Sequence, residues 1–222
     1  PLWTRQVGTT ANELGYGVAV DGAGNAYITG YTGGSLGGPM LGGYDVYLFK
    51  YDAWGTLLWS RQAGTSNFDE GYGVVVDGAG NAYITGYTEG SFGGSHAGES
   101  DAFLASYNAS GTLLWTRQLG STAYDLGFGV TVDGAGNTYL AGVTFGNLGG
   151  SSEGGDDDYF LAKYGPPPCP ADFNQDRFVN GDDFDSFSLV FINGELAADF
   201  DGNGFVNGDD FDGFVAAFVG GC

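Results

Sequence analysis

The sequence repeats itself with a period of 56 residues, and no other feature narrows the possible folds as far. Leu2-Trp3-Thr4-Arg5-Gln6 returns as Leu58-Trp59-Ser60-Arg61-Gln62 and again as Leu114-Trp115-Thr116-Arg117-Gln118. Val20-Asp21-Gly22-Ala23-Gly24-Asn25 returns at 76–81 and at 132–137. Asp45-Val46-Tyr47-Leu48 returns as Asp101-Ala102-Phe103-Leu104 and, with one residue inserted, as Asp158-Tyr159-Phe160-Leu161. Three copies in phase call for one supersecondary unit stacked on copies of itself.

Each copy holds four runs of strand character. In the first they cover Tyr16–Val20, Ala26–Thr32, Asp45–Tyr51 and Leu57–Ala63. Between the first two lies Asp21-Gly22-Ala23-Gly24-Asn25, where glycine supplies positive φ and Asp and Asn bond to the local backbone. A Gly-rich stretch, residues 33–43, links the second and third runs. Asp52-Ala53-Trp54-Gly55 makes the last turn, matched by Asn108-Ala109-Ser110-Gly111 in the next copy. Val18-Ala19-Val20 and Val74-Val75-Val76 are apolar on both faces, which suits a sheet covered on both sides by neighbours. Glycine is 44 of 222 residues, well above the usual ~7%, yet aromatics at 16% argue against a disordered linker. Four antiparallel strands per repeat are the expected content of a propeller-type blade.

The Asp-Gly-x-Gly-Asn turn, the strand end Thr29-Gly30-Tyr31-Thr32 and the hairpin Gly55-Thr56-Leu57-Leu58-Trp59 resemble the bacterial β-propeller repeat family named for seven-bladed propellers. The resemblance covers residues 1–164. It implies a mainly β fold with three four-stranded propeller-type blades of 56-residue period. The count departs from the family's name. The phase is also offset: the chain opens on a fourth strand, Leu2, Trp3, Thr4, Arg5, Gln6 and Val7, and the last repeat stops at Tyr164 after its third. The spare strand is expected to complete the last blade of another copy. Such a head-to-tail contact closes into a ring or runs on as a filament. The alternative is a fragment cut from a longer repeat array.

After the Pro-rich linker at 165–170 come two matching segments 27 residues apart, beginning at Asp172 and Asp199. Both place oxygen-bearing side chains at loop positions 1, 3, 5, 9 and 12, the ligand spacing of an EF-hand, with position 7 giving a backbone carbonyl. An amphipathic helix is expected after each loop, over Asp182–Phe191 and Asp209–Val219. Two loop–helix units in residues 171–222 resemble the dockerin family, whose loops end in Asp. That resemblance implies a small α module of two EF-hand-like units binding two calcium ions. The implied ligands are Asp172, Asn174, Asp176, Phe178, Asn180 and Asp183 in one loop, and Asp199, Asp201, Asn203, Phe205, Asn207 and Asp210 in the other. Arg177 departs from the pattern, because the turn there normally takes Gly. Cys169 and Cys222 flank the module, and a disulfide between them would clasp its ends and mark an oxidising compartment.

With 27 acidic and 6 basic residues the net charge is −21, which disfavours nucleic acid and anionic membranes as partners. No apolar stretch is long enough to span a bilayer. The chain begins at Pro1 without a Met or a signal-type segment, as a trimmed product or a cut boundary would. Gly33-Gly34-Ser35-Leu36-Gly37 fits a nucleophile motif but lies in a low-complexity loop, and His96, the single histidine, sits among Gly and Ser. Arg5, Arg61 and Arg117 are expected to form structural ion pairs with acids such as Asp69 or Asp125. Asp21, Asp77 and Asp133 are expected to serve the turns rather than extra calcium. No His, Lys or acid–base pair converges on a catalytic arrangement, so the chain reads as no enzyme. The leading expectation is a non-catalytic bacterial extracellular or cell-surface protein that self-assembles by strand donation with calcium. The alternative is a binding protein whose dockerin-like module docks a cohesin-like partner.

Overall fold

The computed structural model describes residues 1–150, 157–165, 171, 173, 181–200 and 205–220. The chain divides into two compact units, Pro1–Gly165 and Pro166–Cys222.

The first unit is built from three antiparallel sheets. β1 (Glu13–Val20), β2 (Ala26–Thr32), β3 (Asp45–Tyr51) and β4 (Leu57–Ala63) pair in chain order. β5 (Asp69–Val76), β6 (Ala82–Thr88), β7 (Asp101–Tyr107) and β8 (Leu113–Leu119) repeat that arrangement. β9 (Asp125–Val132), β10 (Thr138–Thr144) and β11 (Asp158–Tyr164) form a third sheet of three strands, in line with a last repeat that stops at Tyr164 after its third strand. Residues 2–7, expected as a strand, join no ladder among the described residues.

β1 begins at Glu13 rather than at Tyr16, because a bulge between Gly15 and Gly17 breaks the alternation that marks a strand in sequence. At that bulge the Leu14 carbonyl comes so close to Gly30 that no side chain would fit there. The β1–β2 turn takes Gly24 at φ 81°, and its copies take Gly80 at 83° and Gly136 at 76°.

The sheets stack face to face, with β1 against β5 and β5 against β9. Glycine permits this approach: a Cβ at Gly17 would lie 2.8 Å from the Tyr72 carbonyl, and one at Gly73 would lie 2.8 Å from the Phe128 carbonyl. Tyr27, Val46 and Leu48 of the first sheet join Ile84, Phe103 and Tyr107 of the second in one core. Single backbone bridges, Tyr44 to Phe68 and Ser100 to Tyr124, tie each sheet to the next.

In the second unit α1 (Gly181–Ile192) and α2 (Gly208–Gly220) flank a short 3₁₀ turn at Leu196–Ala198. Phe187 and Phe214, one repeat apart, stack with ring centroids 4.0 Å apart and planes 3° from parallel. Phe173, Phe184, Phe200 and Phe211 pack around that pair.

Candidate functional site

Trp and Arg on alternate positions of a fourth strand lie on the same face of that strand and reach the next sheet. Trp59 Nε1 donates to the Ala109 carbonyl at 3.0 Å, and Arg61 donates to the carbonyls of Gly111 and Ser110. The Arg61 guanidinium lies 5.5 Å from the centre of the Trp59 ring. β4 therefore clamps the β7–β8 turn. A planar fork stacked on an aromatic ring fits two neighbouring carbonyls, which corrects the expected ion pairing of these arginines. Asp69 and Asp125 accept instead from Thr65 and Ser121.

Residues 2–7 make the same clamp one repeat earlier. Trp3 Nε1 donates to the Ala53 carbonyl at 3.0 Å, Arg5 Nε donates to the Gly55 carbonyl at 2.6 Å, and Arg5 lies 5.7 Å from the Trp3 ring centre. The segment thus lies against the β3–β4 turn as a fourth strand does, although no strand among the described residues pairs with its backbone. In the third copy Arg117 lies 5.4 Å from the Trp115 ring, but its hydrogen bond goes to the adjacent Thr116 carbonyl.

The outer edge of β11 is the complementary feature. In the first two sheets Val46 and Leu48, and Ala102 and Leu104, are buried. Their counterparts Tyr159 and Leu161 are 90% and 68% exposed. A groove of about 500 Å³ runs along this edge, lined by Leu119, Leu148, Asp158, Phe160 and Ala162 among others. Gln62 shows what a fourth strand does in such a groove. Its Oε1 accepts the Leu36 and Gly37 amides, and its Nε2 donates to Asp45 and to the Gly34 carbonyl. At the other end of the stack Leu14, Tyr16, Val18 and Val20 of β1 are 47–70% exposed.

The turn aspartates are held within their own turns. Asp133 Oδ1 accepts the Ala135 and Asn137 amides, and Oδ2 accepts Asn137 Nδ2 and the Tyr139 hydroxyl. These bonds, the Asn137 side chain foremost, pull its pKa down to about 2. Asp21 is lowered too: burial opposes ionisation, and bonds from Asn25 and Ala23 with Lys50, 3.7 Å away, outweigh it.

In the second unit Asp183 and Asp210 are fully buried at equivalent positions. Asp210 Oδ1 accepts the Phe200 amide and Oδ2 the Asn207 amide, both at 2.8 Å, so this carboxylate gathers its own loop. Asn207 Oδ1 accepts the Asp209 amide at 2.7 Å and caps α2. Asp199 ends the 3₁₀ turn, and Phe205 is 74% exposed. Asp172, Asn174, Asp176, Phe178, Asn180, Asp201, Asn203, Cys169 and Cys222 lie outside the described residues. Among the described residues no three His, Cys, Asp or Glu side chains converge as a metal-holding group.

Sequence reasoning missed the clamp and four buried carboxylates: Asp45, Asp69, Asp101 and Asp125. The signal available for the carboxylates was an Asp opening an apolar strand, repeated in phase.

Residues 2–37, 58–93 and 114–149 match the beta-propeller repeat family. Regulatory protein FlaEY of Caulobacter vibrioides is 30% identical over 173 residues, 71% of this chain, and the chain spans 18% of that protein's length. Two variants of Synechocystis apocarotenoid oxygenase share 14% identity, covering 68% of this chain and 36% of theirs, with TM-scores of 0.39 and 0.38. Three segments of this chain, one in each copy of the repeat, are thus similar to the beta-propeller repeat.

Proposed function

We propose that this chain is a non-catalytic structural protein whose β unit self-assembles, residues 2–7 of one copy adding as the fourth strand to β11 of the next. The observation that carries this reading is the double use of the repeat. Trp3 and Arg5 fix residues 2–7 against the first sheet in the manner of β4, and β11 presents the edge that β4 fills elsewhere.

The β3–β4 register, transferred, sets Tyr159 opposite Val7, Phe160 opposite Gln6, Leu161 opposite Arg5, Ala162 opposite Thr4 and Lys163 opposite Trp3. Gln6 then meets Asp158 and the Leu148 amide, as Gln62 meets Asp45 and Leu36. The exposed β1 face of the incoming copy covers Tyr159 and Leu161. Each large apolar side chain so buried contributes about 1.5–3 kcal/mol. Calcium in the second unit supports the same assembly, and the setting is extracellular. A Cys169–Cys222 disulfide belongs to that reading, and a thiol assay on unfolded protein that finds free thiols argues against it.

Light scattering on the intact chain in millimolar calcium, across a concentration series, should show mass rising beyond one copy. A variant lacking residues 1–7 should stay monomeric and should bind a peptide of residues 1–8. A strictly monomeric intact chain sinks the proposal.

A second reading is favoured by the duplicated Asp183 and Asp210. The second unit is then a dockerin-like calcium module that docks a cohesin-like protein and displays the β unit. A buried carboxylate that gathers its loop, as Asp210 does, suits a cation bound there, with Asp199, Asp210 and the Phe205 carbonyl as described members of the donor set. A tight one-to-one complex with a separate receptor, with no self-association, decides for it.

A further inference from the structure

Asp45 opens β3 and Asp69 opens β5, so the Tyr44–Phe68 bridge between the first two sheets sets these residues side by side. Both are fully buried, and Oδ1 of each accepts no hydrogen bond. The other oxygens are occupied: Asp45 Oδ2 accepts the Leu41 amide and Gln62 Nε2, and Asp69 Oδ2 accepts the Thr65 amide and hydroxyl. The Thr88 hydroxyl stands between Asp69 and the Gly90 carbonyl, within reach of both. The two carboxylates converge on the space left by Gly64, where a Cβ would lie 2.7 Å from Asp45 Oδ1 and 2.9 Å from Asp69 Oδ2.

The next seam repeats the arrangement. Asp101 and Asp125 follow the Ser100–Tyr124 bridge, both fully buried, and each has an unpartnered Oδ1. Asp101 fills the space left by Gly120. Its Oδ2 accepts the Ala97 amide and Gln118 Nε2, with His96 Nδ1 at 3.5 Å, and Asp125 Oδ2 accepts the Ser121 amide and hydroxyl.

No Lys or Arg of the described residues pairs with any of these four carboxylates. Lys50 pairs with Asp21, the Arg side chains lie over Trp rings, and Lys163 lies over Tyr139. A buried carboxylate without a counter-charge is strongly destabilising, and two side by side more so. The surroundings deepen the problem: Glu89, itself pushed up by burial and by Asp69, has Glu70 and Glu99 near it, and His96 is the one group there that opposes them. Burial first, with Asp45 beside it, pushes the Asp69 pKa up. One shared proton would neutralise half of each pair. One divalent cation neutralises all of it and meets the unpartnered oxygens, which are hard donors.

We propose that the seams between successive sheets are cation sites, in which Asp45 with Asp69, and Asp101 with Asp125, each hold one hard divalent cation of the calcium type between the two carboxylates. The cation then acts as a removable rivet between neighbouring repeats.

All four tryptophans, Trp3, Trp54, Trp59 and Trp115, belong to the β unit, so tryptophan fluorescence reports its unfolding without interference from the second unit. Thermal unfolding of the full chain at neutral pH should shift upward by several degrees on adding calcium chloride to chelator-treated protein. The shift should persist on tenfold dilution, which separates it from self-association. Asp69→Asn with Asp125→Asn should unfold at a higher temperature than the parent in chelator and lose the calcium increment. If that double variant fails to fold, the calcium response of the parent at high dilution decides. A midpoint indifferent to calcium overturns the proposal, whether it rises on acidification, as a shared proton requires, or stays level, as bound water requires. A calcium shift that vanishes on dilution also overturns it.

Discussion

Asp77 shows how much one side chain does in the β unit. Its Oδ1 accepts the Ala79 and Asn81 amides, and its Oδ2 accepts Asn81 Nδ2 and the Tyr83 hydroxyl. Asp77→Ala strands these donors and should cost about 2 kcal/mol by denaturant unfolding, while Asp77→Asn, which keeps acceptors, should cost less. The same geometry gives the unit an acid limit. Asp133 and Asp21 have lowered pKa values, so their contribution is present above the ordinary carboxylate range, near about pH 4, and is lost as pH falls below it, for Asp133 through about 2. Asp69 works the other way. Its raised pKa makes its contribution most favourable under acid conditions and progressively unfavourable as pH rises through the folded value. Fluorescence-detected unfolding in chelator should therefore show stability falling from mild acid to neutral pH and collapsing below about pH 3. The turn role of these aspartates was legible in the sequence, because Asp and Asn spaced across glycines have few other uses. The burial of Asp45 and Asp69 was not, because an aspartate at a strand start ordinarily faces water.

Equivalent glycines separate the faces of the stack at the scale of the element. Gly17 and Gly73 each meet a carbonyl of the next sheet, whereas Gly129, their counterpart in the third, meets nothing within 4 Å. Gly73→Ala should destabilise the β unit by about 1–3 kcal/mol through overpacking at the seam. Gly129→Ala should leave the unfolding midpoint of the isolated copy unchanged and yet abolish self-association, as light scattering would report. Self-association by Gly129→Ala at the parent's affinity places the contact elsewhere. The strands themselves were largely readable from periodicity, down to their bounds for β2 and β3. The start of β1 was not, since the bulge at Gly15 and Gly17 erases the pattern. The partner of Trp59 and Arg61 was also hidden, because only stacking brings them onto the turn at 108–111.

At the scale of the whole chain, the two units should answer calcium differently. Chelation should remove the helical circular dichroism of α1 and α2 while the β unit stays folded with a lower unfolding midpoint; helices that persist in chelator argue against metal-linked folding of the second unit. Local chemistry written in the sequence determined the repeat, its strands, its turns and the two phenylalanine-lined helices, because period, glycine placement and apolar spacing act over a few residues. Only the tertiary structure decided which faces are covered, that residues 2–7 lie in the manner of a fourth strand, and that four aspartates are buried at the seams with no Lys or Arg of the described residues beside them. Those outcomes depend on residues far apart in sequence approaching across a seam. Identical repeats look identical in sequence, and they differ only in what happens to lie beside them.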